Sequence, residues 1–219
     1  MKKLILSLAA AAMFAVSAHA QKSIFNNPDN HPYFGVRVAG EITCPGDVKV
    51  DKMKADIYKN GGGVEFGGIY NFPVVANFYV EPGLKLYYNT YSTHNDIADA
   101  LEVSSISIKK FGMRVPVMAG YHFDFTRDIR VYLFTGPELE IGFTADGKVK
   151  SGRVSESESL YGENGGMNRV DVLWGFGAGV SYSHYYFGIS GAAGLCDMDN
   201  ESDSKFHENR VSFTLGYNF

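Results

Sequence analysis

The last ten residues constrain the fold more than any other stretch. In Arg210-Val211-Ser212-Phe213-Thr214-Leu215-Gly216-Tyr217-Asn218-Phe219 every odd position is apolar or aromatic, and every even position is polar or glycine. Successive side chains of a strand point to opposite faces, so this segment has one greasy face and one polar face. A strand of a soluble sandwich shows the same alternation over about five residues, whereas roughly ten matches a tilted strand crossing a bilayer.

Seven further segments repeat the pattern. Strand one, about Tyr33–Ile42, sets Phe34, Val36 and Val38 against Arg37 and Glu41. Strand two, about Gly63–Phe72, sets Val64, Phe66 and Tyr70 against Glu65, and strand three, about Asn77–Tyr88, sets Phe78, Val80, Leu84 and Leu86 against Glu81 and Lys85. Strand four, about Ile106–Phe123, puts Phe111, Met113, Val115 and Val117 outward and Lys110, Arg114 and His122 inward. Ile106 and Ile108 break its parity, which predicts a β-bulge near Lys109 or an extension beyond the bilayer. Strand five, about Ile129–Phe143, opposes Val131, Leu133, Leu139 and Ile141 to Arg130, Glu138 and Glu140. Strand six, about Val170–Tyr182, opposes Val172, Trp174, Phe176 and Val180 to Asp171 and three glycines, and strand seven covers about Tyr185–Leu195. Pro116 and Pro137 fall inside strands and predict local bulges, because proline removes a ladder donor.

The connections alternate in length. Three are short, about Pro73–Ala76, Asp124–Asp128 and Ser183–His184; four are long, about Thr43–Gly62, Asn89–Ser105, Thr144–Asn168 and Cys196–Asn209. Transmembrane barrels have short periplasmic turns and long external loops. Eight strands with both ends periplasmic require three of the first kind and four of the second. The expected fold is therefore all-β: an eight-stranded antiparallel up-and-down transmembrane β-barrel.

The first twenty residues read as a cleaved secretory signal peptide, with Lys2 and Lys3, an apolar run from Leu4 to Val16, and a cleavage site after Ala20. Residues 21–219 then form the barrel domain, whose place is the cell outer membrane of a Gram-negative bacterium. The chain carries 14 Tyr, 16 Phe and 25 Gly and a formal net charge of −4. No nucleic acid is expected as a partner, since binding it takes a dense cationic patch.

On this register the inward face holds Arg37, Lys85, Lys110, Arg114, Arg130 and Arg210 against Glu41, Glu65, Glu81, Glu138, Glu140 and Asp171. Charges in a narrow lumen must be paired, so the balance predicts an ionic, filled interior without a continuous pore. The inward glycines of strands six and seven relieve crowding. Tyr33, Tyr70, Tyr121, Tyr182, Tyr185 and Tyr217 fall near periplasmic strand ends, where aromatic rings meet headgroups. Cys44 and Cys196 are the pair available for a disulfide, provided that one loop bends inward, because strand eight separates their strands.

Enzyme chemistry finds little support. His94 and His207 lie in external loops with Ser92, Ser202 and Ser204, but no G-x-S-x-G elbow accompanies them. The acidic run Cys196–Asp203 lacks the spacing and central glycine of a calcium loop. The reading is of a non-enzyme with no catalytic residue, cofactor or metal.

The C-terminal Leu215-Gly216-Tyr217-Asn218-Phe219 on an eighth amphipathic strand resembles small outer-membrane barrels of the OmpX and OmpA-transmembrane type. The stretch Gly112–Phe125 and the Gly- and Tyr-rich strands look like PorT-type barrels of Bacteroidetes. The resemblance implies insertion by the barrel assembly machinery, with Phe213, Leu215, Tyr217 and Phe219 as its signal. It does not imply a role in type IX secretion, and no cell-wall-binding domain is expected after Phe219.

The sequence therefore points to an integral barrel with a structural or interaction role. Outer-membrane lipid and lipopolysaccharide surround it, and four external loops face an unknown partner. Three rivals make different predictions. A small channel would have a hydrated lumen, a lipid A-modifying enzyme would work through a loop histidine, and a secreted lipocalin-like barrel would invert the two faces.

Overall fold

The computed structural model describes residues 31–46, 48–50, 53–55, 57–94, 105–126, 128–151, 154–161, 167–196, 204–205 and 207–219. The signal segment 1–20 and the acidic run 197–203 lie outside them. The strands are β1 (Tyr33–Pro45), β2 (Val48–Val50), β3 (Met53–Ala55), β4 (Tyr58–Val75), β5 (Phe78–Thr93), β6 (Ser105–Asp124), β7 (Ile129–Ser151), β8 (Val154–Ser159), β9 (Val170–Tyr182), β10 (Tyr185–Gly194), β11 (Ser204–Lys205) and β12 (Glu208–Asn218).

Eight of them close on themselves in the order β1-β4-β5-β6-β7-β9-β10-β12, each antiparallel to its neighbours. The two terminal strands seal the barrel, with Gly35 opposite Asn218 and Pro45 opposite Glu208. Closure leaves no barrel edge, so the backbone groups of each strand find partners without water.

The faces are inverted relative to a soluble protein. Phe66, Leu84, Phe176 and Leu215 point outward and are more than half exposed, while Arg114 is 1 % exposed and Lys110 fully buried. This arrangement overturns the lipocalin-like alternative, which needs the greasy side within. Lipid-facing polar groups satisfy one another: the Trp174 indole donates to Thr135 Oγ1 at 2.9 Å, and the Thr135 hydroxyl donates to the Gly175 carbonyl at 2.9 Å. An aromatic chain rims the periplasmic end, with Phe34 stacked on Phe219 at 5.9 Å and Tyr217 between His184 and Phe219.

The three short turns are tight. Ala76-Asn77 and Ser183-His184 are two-residue turns whose first residues take φ of 48° and 54°. Such left-handed residues match the twist of a hairpin. Tyr33 departs from the expected aromatic belt: it points into the lumen, its hydroxyl 3.4 Å from that of Tyr132. Parity explains this, since Tyr33 shares a face with Arg37 and Phe34 takes the lipid side.

The external side holds more structure than loop lengths imply. β7 continues eight residues past Phe143 and pairs with β8, so most of the expected 144–168 loop is a hairpin rising above the bilayer. β6 rises alongside it without a bulge at Lys109, keeping its pairing Thr90–Lys109 and Tyr91–Ile108 with β5. Ile108 therefore faces inward above the membrane, where the lipid rule no longer applies. The bulge lies instead in β7, where Phe111 pairs with Thr144 and Gly112 with Gly142, leaving Phe143 as the extra residue.

Pro116 and Pro137 produce no bulge either. The β6–β7 ladder skips from Pro116–Glu138 to Ala119–Thr135 with its register unchanged, and Pro137 stays paired with Trp174. The missing donors are accommodated as a short gap in the ladder rather than as an inserted residue. A three-stranded sheet, β11-β2-β3, joins the loops after β1 and before β12.

Candidate functional site

The inward charges meet in a knot in the external half of the lumen. Arg114, on β6, lies at its centre. Its Nη1 donates to Glu41 Oε2 at 2.5 Å and to Glu65 Oε2 at 3.1 Å, and its Nε donates to Glu140 Oε2 at 2.8 Å. One guanidinium thus touches carboxylates from β1, β4 and β7, and its Cζ sits 3.9 Å from the centre of the Tyr87 ring. The planar fork suits this task, since it presents several donors at fixed angles.

Three more cations complete the knot. Arg210 Nη2 donates to Glu138 Oε1 at 2.5 Å, Lys110 Nζ lies 3.1 Å from Glu140 and 3.0 Å from Glu208, and Lys85 Nζ lies 2.8 Å from Glu65. Asn89 Nδ2 donates to Glu208 Oε1 at 3.2 Å. Taking charges out of water costs about several kcal/mol per ion, so pairing is the condition for such residues to be buried. Here β1, β4, β5, β6, β7 and β12 are cross-tied through side chains as well as backbone.

Not all twelve predicted charges join. Arg37 lies over the Tyr186 ring, 4.2 Å from its centre, and donates to the carbonyl of Val36 at 3.0 Å. Glu81 accepts from Asn71 Nδ2 at 3.0 Å, and Arg130 pairs with Asp124 at 2.5 Å near the periplasmic end. Asp171 accepts from the backbone N–H of Cys196 at 3.3 Å. Glu208, by contrast, is a member that the sequence reading assigned to a loop. Its signal was available: it continues the even parity of Arg210 and Ser212 by one step.

Below the knot, toward the periplasm, aromatic rings fill the lumen. Tyr132 contacts the rings of Tyr79 and Tyr186 at 5.8 Å and 5.9 Å, and His122 Nδ1 lies 3.2 Å from Asp124 Oδ1. Between knot and rings a cavity of about 50 Å³ is lined by Arg37, Glu81, Lys85, Met118 and Tyr186. A wider polar cup of about 840 Å³ opens to the periplasm beside Tyr33, Asp124, Arg130, Ser181 and Asn218.

The inward glycines seat the large rings. Tyr186 packs over Gly179 and Gly188, Tyr87 over Gly112 and Tyr79 over Gly120, where an added Cβ would collide with each ring. Above the knot the chain folds back as a stopper. Leu160 N–H donates to Ala145 at 2.7 Å, Gly142 N–H to Arg169 at 2.7 Å, and the Tyr161 ring lies over Gly142 with Arg169 Cζ 5.5 Å from its centre. Burial pushes the Tyr161 phenol pKa up.

Cys44 and Cys196 are free thiols. β12 lies between β1 and β10, so the two cysteines sit two strands apart and no disulfide joins them. His207 Nδ1 lies 2.9 Å from the Cys196 carbonyl, which ties the outer ends of β10 and β12 together. Of the assembly-signal residues, Phe213, Leu215 and Phe219 face outward and exposed, and Tyr217 is half-buried among aromatics. Among the described residues no cluster of His, Cys, Asp and Glu is arranged to hold a metal ion.

The model of the outer membrane protein beta-barrel domain family matches residues 20–200. The chain belongs to that family. Its place is accordingly the outer membrane. Among solved structures, Neisserial surface protein A is 14% identical, with a TM-score of 0.46, and the match covers 87% of this chain and 100% of that one. OprG of Pseudomonas aeruginosa is 13% identical, with a TM-score of 0.44 and 87% and 98% covered. Ail, the attachment invasion locus protein of Yersinia pestis, solved with the heparin analogue sucrose octasulfate, is 16% identical, with a TM-score of 0.42 and 87% and 100% covered. No curated protein matches the sequence.

Proposed function

We propose that this member of the outer membrane protein beta-barrel domain family is a non-conducting, non-enzymatic barrel. Its interior is a structural strut, and its external structure carries whatever recognition it performs. The observation that carries the proposal is the Arg114 knot. A lumen crossed by a guanidinium bound to Glu41, Glu65 and Glu140 at once leaves no wide aqueous path at that level. The folded-back Tyr161 segment covers the same space from outside, and the Tyr79-Tyr132-Tyr186 rings occupy it from below.

The rest of the proposal concerns biogenesis and placement. The mature chain begins at Gln21, and the barrel assembly machinery inserts it by reading the outward face of β12 ending in Phe219. The finer kinship with PorT-type barrels of Bacteroidetes rests on the Gly112–Phe125 stretch.

Planar-bilayer recording tests the closed lumen. The refolded chain is expected to give no steps above the baseline, and Arg114→Ala to give small or irregular ones as the knot loosens. Stable unitary conductance from the unmodified chain, altered by Glu138→Gln, would establish a channel instead.

A further inference from the structure

Two of the short turns surround the periplasmic cup of about 840 Å³, a size within the roughly 300–1,000 Å³ of small-molecule sites. Its lining follows from parity. Tyr33 shares the inward face of β1 with Arg37, Tyr132 that of β7 with Glu138, Ser181 that of β9 with Asp171, and Asn218 that of β12 with Arg210. β1 and β7 have three strands between them in either direction round the barrel, so Tyr33 and Tyr132 reach across the lumen to meet. The cup is blind, because the Tyr79-Tyr132-Tyr186 rings fill the lumen at its base.

The floor is uncharged and loosely bonded. The Tyr33 hydroxyl lies 3.4 Å from that of Tyr132, which lies 3.3 Å from Ser181 Oγ. Both contacts are longer than the usual O–H···O range of about 2.5–3.0 Å. A hydroxyl offers one donor and two acceptor positions, so all three keep capacity for a further partner. Tyr132 and Ser181 are buried, and polar groups so placed are ordinarily bonded. Asn218 beside them is more than nine-tenths buried, and its Oδ1 accepts no hydrogen bond.

Charge near the floor is already matched. Asp124 holds the Arg130 guanidinium at 2.5 Å and lies 3.2 Å from His122 Nδ1. Among the described residues of the lining this leaves no free guanidinium for an anion, and Asp128 stands in an exposed turn rather than on the floor. Tyr33 and Phe219 add aromatic ring surface to the same cup. Hydroxyl and amide groups beside aromatic rings suit a neutral, hydroxyl-rich ligand, since a sugar presents hydroxyls at its edge and C–H groups on its face.

We infer that the periplasmic cup is a saccharide-binding site, with Tyr33, Tyr132, Ser181 and Asn218 as its polar contacts. The site is additional to recognition at the external end, and it rests on the orientation that places the short turns in the periplasm. The Asn218 Oδ1 acceptor suits an acetamido N–H. The inference therefore commits to N-acetylated amino sugars, either as a free oligosaccharide or as the end of a cell-wall glycan strand.

The test titrates the refolded mature chain, in a sugar-free zwitterionic detergent, with chitotetraose, the neutral tetramer of N-acetylglucosamine. Calorimetry is expected to show saturable binding that ~0.5 M salt leaves unchanged, because no ion pair forms. Tyr132→Phe and Ser181→Ala are each expected to weaken it about fivefold, the scale of one neutral hydrogen bond. Maltotetraose, which lacks acetamido groups, should bind more weakly than chitotetraose. No saturation by ~10 mM tetramer, equal affinity in both variants, or loss of binding in salt would overturn the inference.

Purified peptidoglycan sacculi distinguish the two sources. Co-sedimentation of the chain that excess chitotetraose releases assigns the site to the wall strand, and tetramer binding without co-sedimentation assigns it to a free saccharide. Faster migration of the unboiled chain on SDS gels, checked in the same samples, separates the two levels of failure. Its absence marks failure of the barrel reading, whereas a mobility shift without binding sinks this inference alone. Should a variant not fold, magnetisation transfer from tyrosine ring protons to the bound tetramer in the unmodified chain decides; its absence would contradict the site.

Discussion

Arg114 on β6 and Glu41 on β1 are 73 residues apart in sequence, yet Arg114 Nη1 lies 2.5 Å from Glu41 Oε2 across the lumen. β4 and β5 stand between their strands, so this pair binds the barrel wall to itself through its interior. Removing Arg114 leaves the Glu41, Glu65 and Glu140 carboxylates without their shared donor. Arg114→Met is expected to destabilise the barrel by about 3–5 kcal/mol, the range for breaking a buried ion pair, and Glu41→Gln by less, since Arg114 keeps two other partners. Urea titration of the SDS mobility shift measures both; a loss under about 1 kcal/mol for Arg114→Met would show that the knot is incidental.

The Trp174–Thr135 hydrogen bond lies on the lipid face, at 2.9 Å. Thr135→Val keeps the shape but leaves an indole N–H without a partner in hydrocarbon. The expected cost is about 1–3 kcal/mol in the same titration. The Trp174→Phe/Thr135→Val pair should recover most of it, because both polar groups are then gone.

The glycine seats predict a size threshold. Gly179 packs under the Tyr186 ring, and a Cβ there meets the ring atoms. Gly179→Val is expected to lower stability by about 1–3 kcal/mol through overpacking. Adding Tyr186→Ala should relieve the collision, so that the double variant loses less than the sum of the single losses. Strict additivity would mean that the two side chains do not compete for the same space.

Ala76 opens the β4–β5 turn with φ of 48°. A left-handed conformation costs an L-residue roughly 1–2 kcal/mol, which glycine avoids at some cost in unfolded-chain entropy. Ala76→Gly is therefore expected to be neutral or to stabilise by up to about 1 kcal/mol, and Ala76→Val to destabilise. Equal stability of the two variants would show that the turn is not under this constraint.

The transmembrane half of the molecule was legible because lipid imposes a two-residue period. β9 runs from Val170 to Tyr182, the bounds that its alternation gives, and every inward charge read from parity does face the lumen. Outside the bilayer the period carries no such meaning. Ile108 reads as a parity error in the sequence, yet it belongs to an extension where apolar residues face inward to meet Tyr91. For the same reason Glu208 and the β7–β8 hairpin read as loop. The prolines misled in a different way: proline removes a donor, but whether the ladder then bulges or gaps depends on the neighbouring strand. Which carboxylates Arg114 reaches was not legible, since parity gives the face and not the partner across the lumen.

The central claim is a closed membrane barrel with its charges inside. Its most direct test is the mobility of the outer-membrane fraction on SDS gels with and without boiling. The account predicts a faster-migrating unboiled band that shifts to full apparent mass on heating. A chain found in the soluble periplasmic fraction, with no heat-dependent shift, would contradict it.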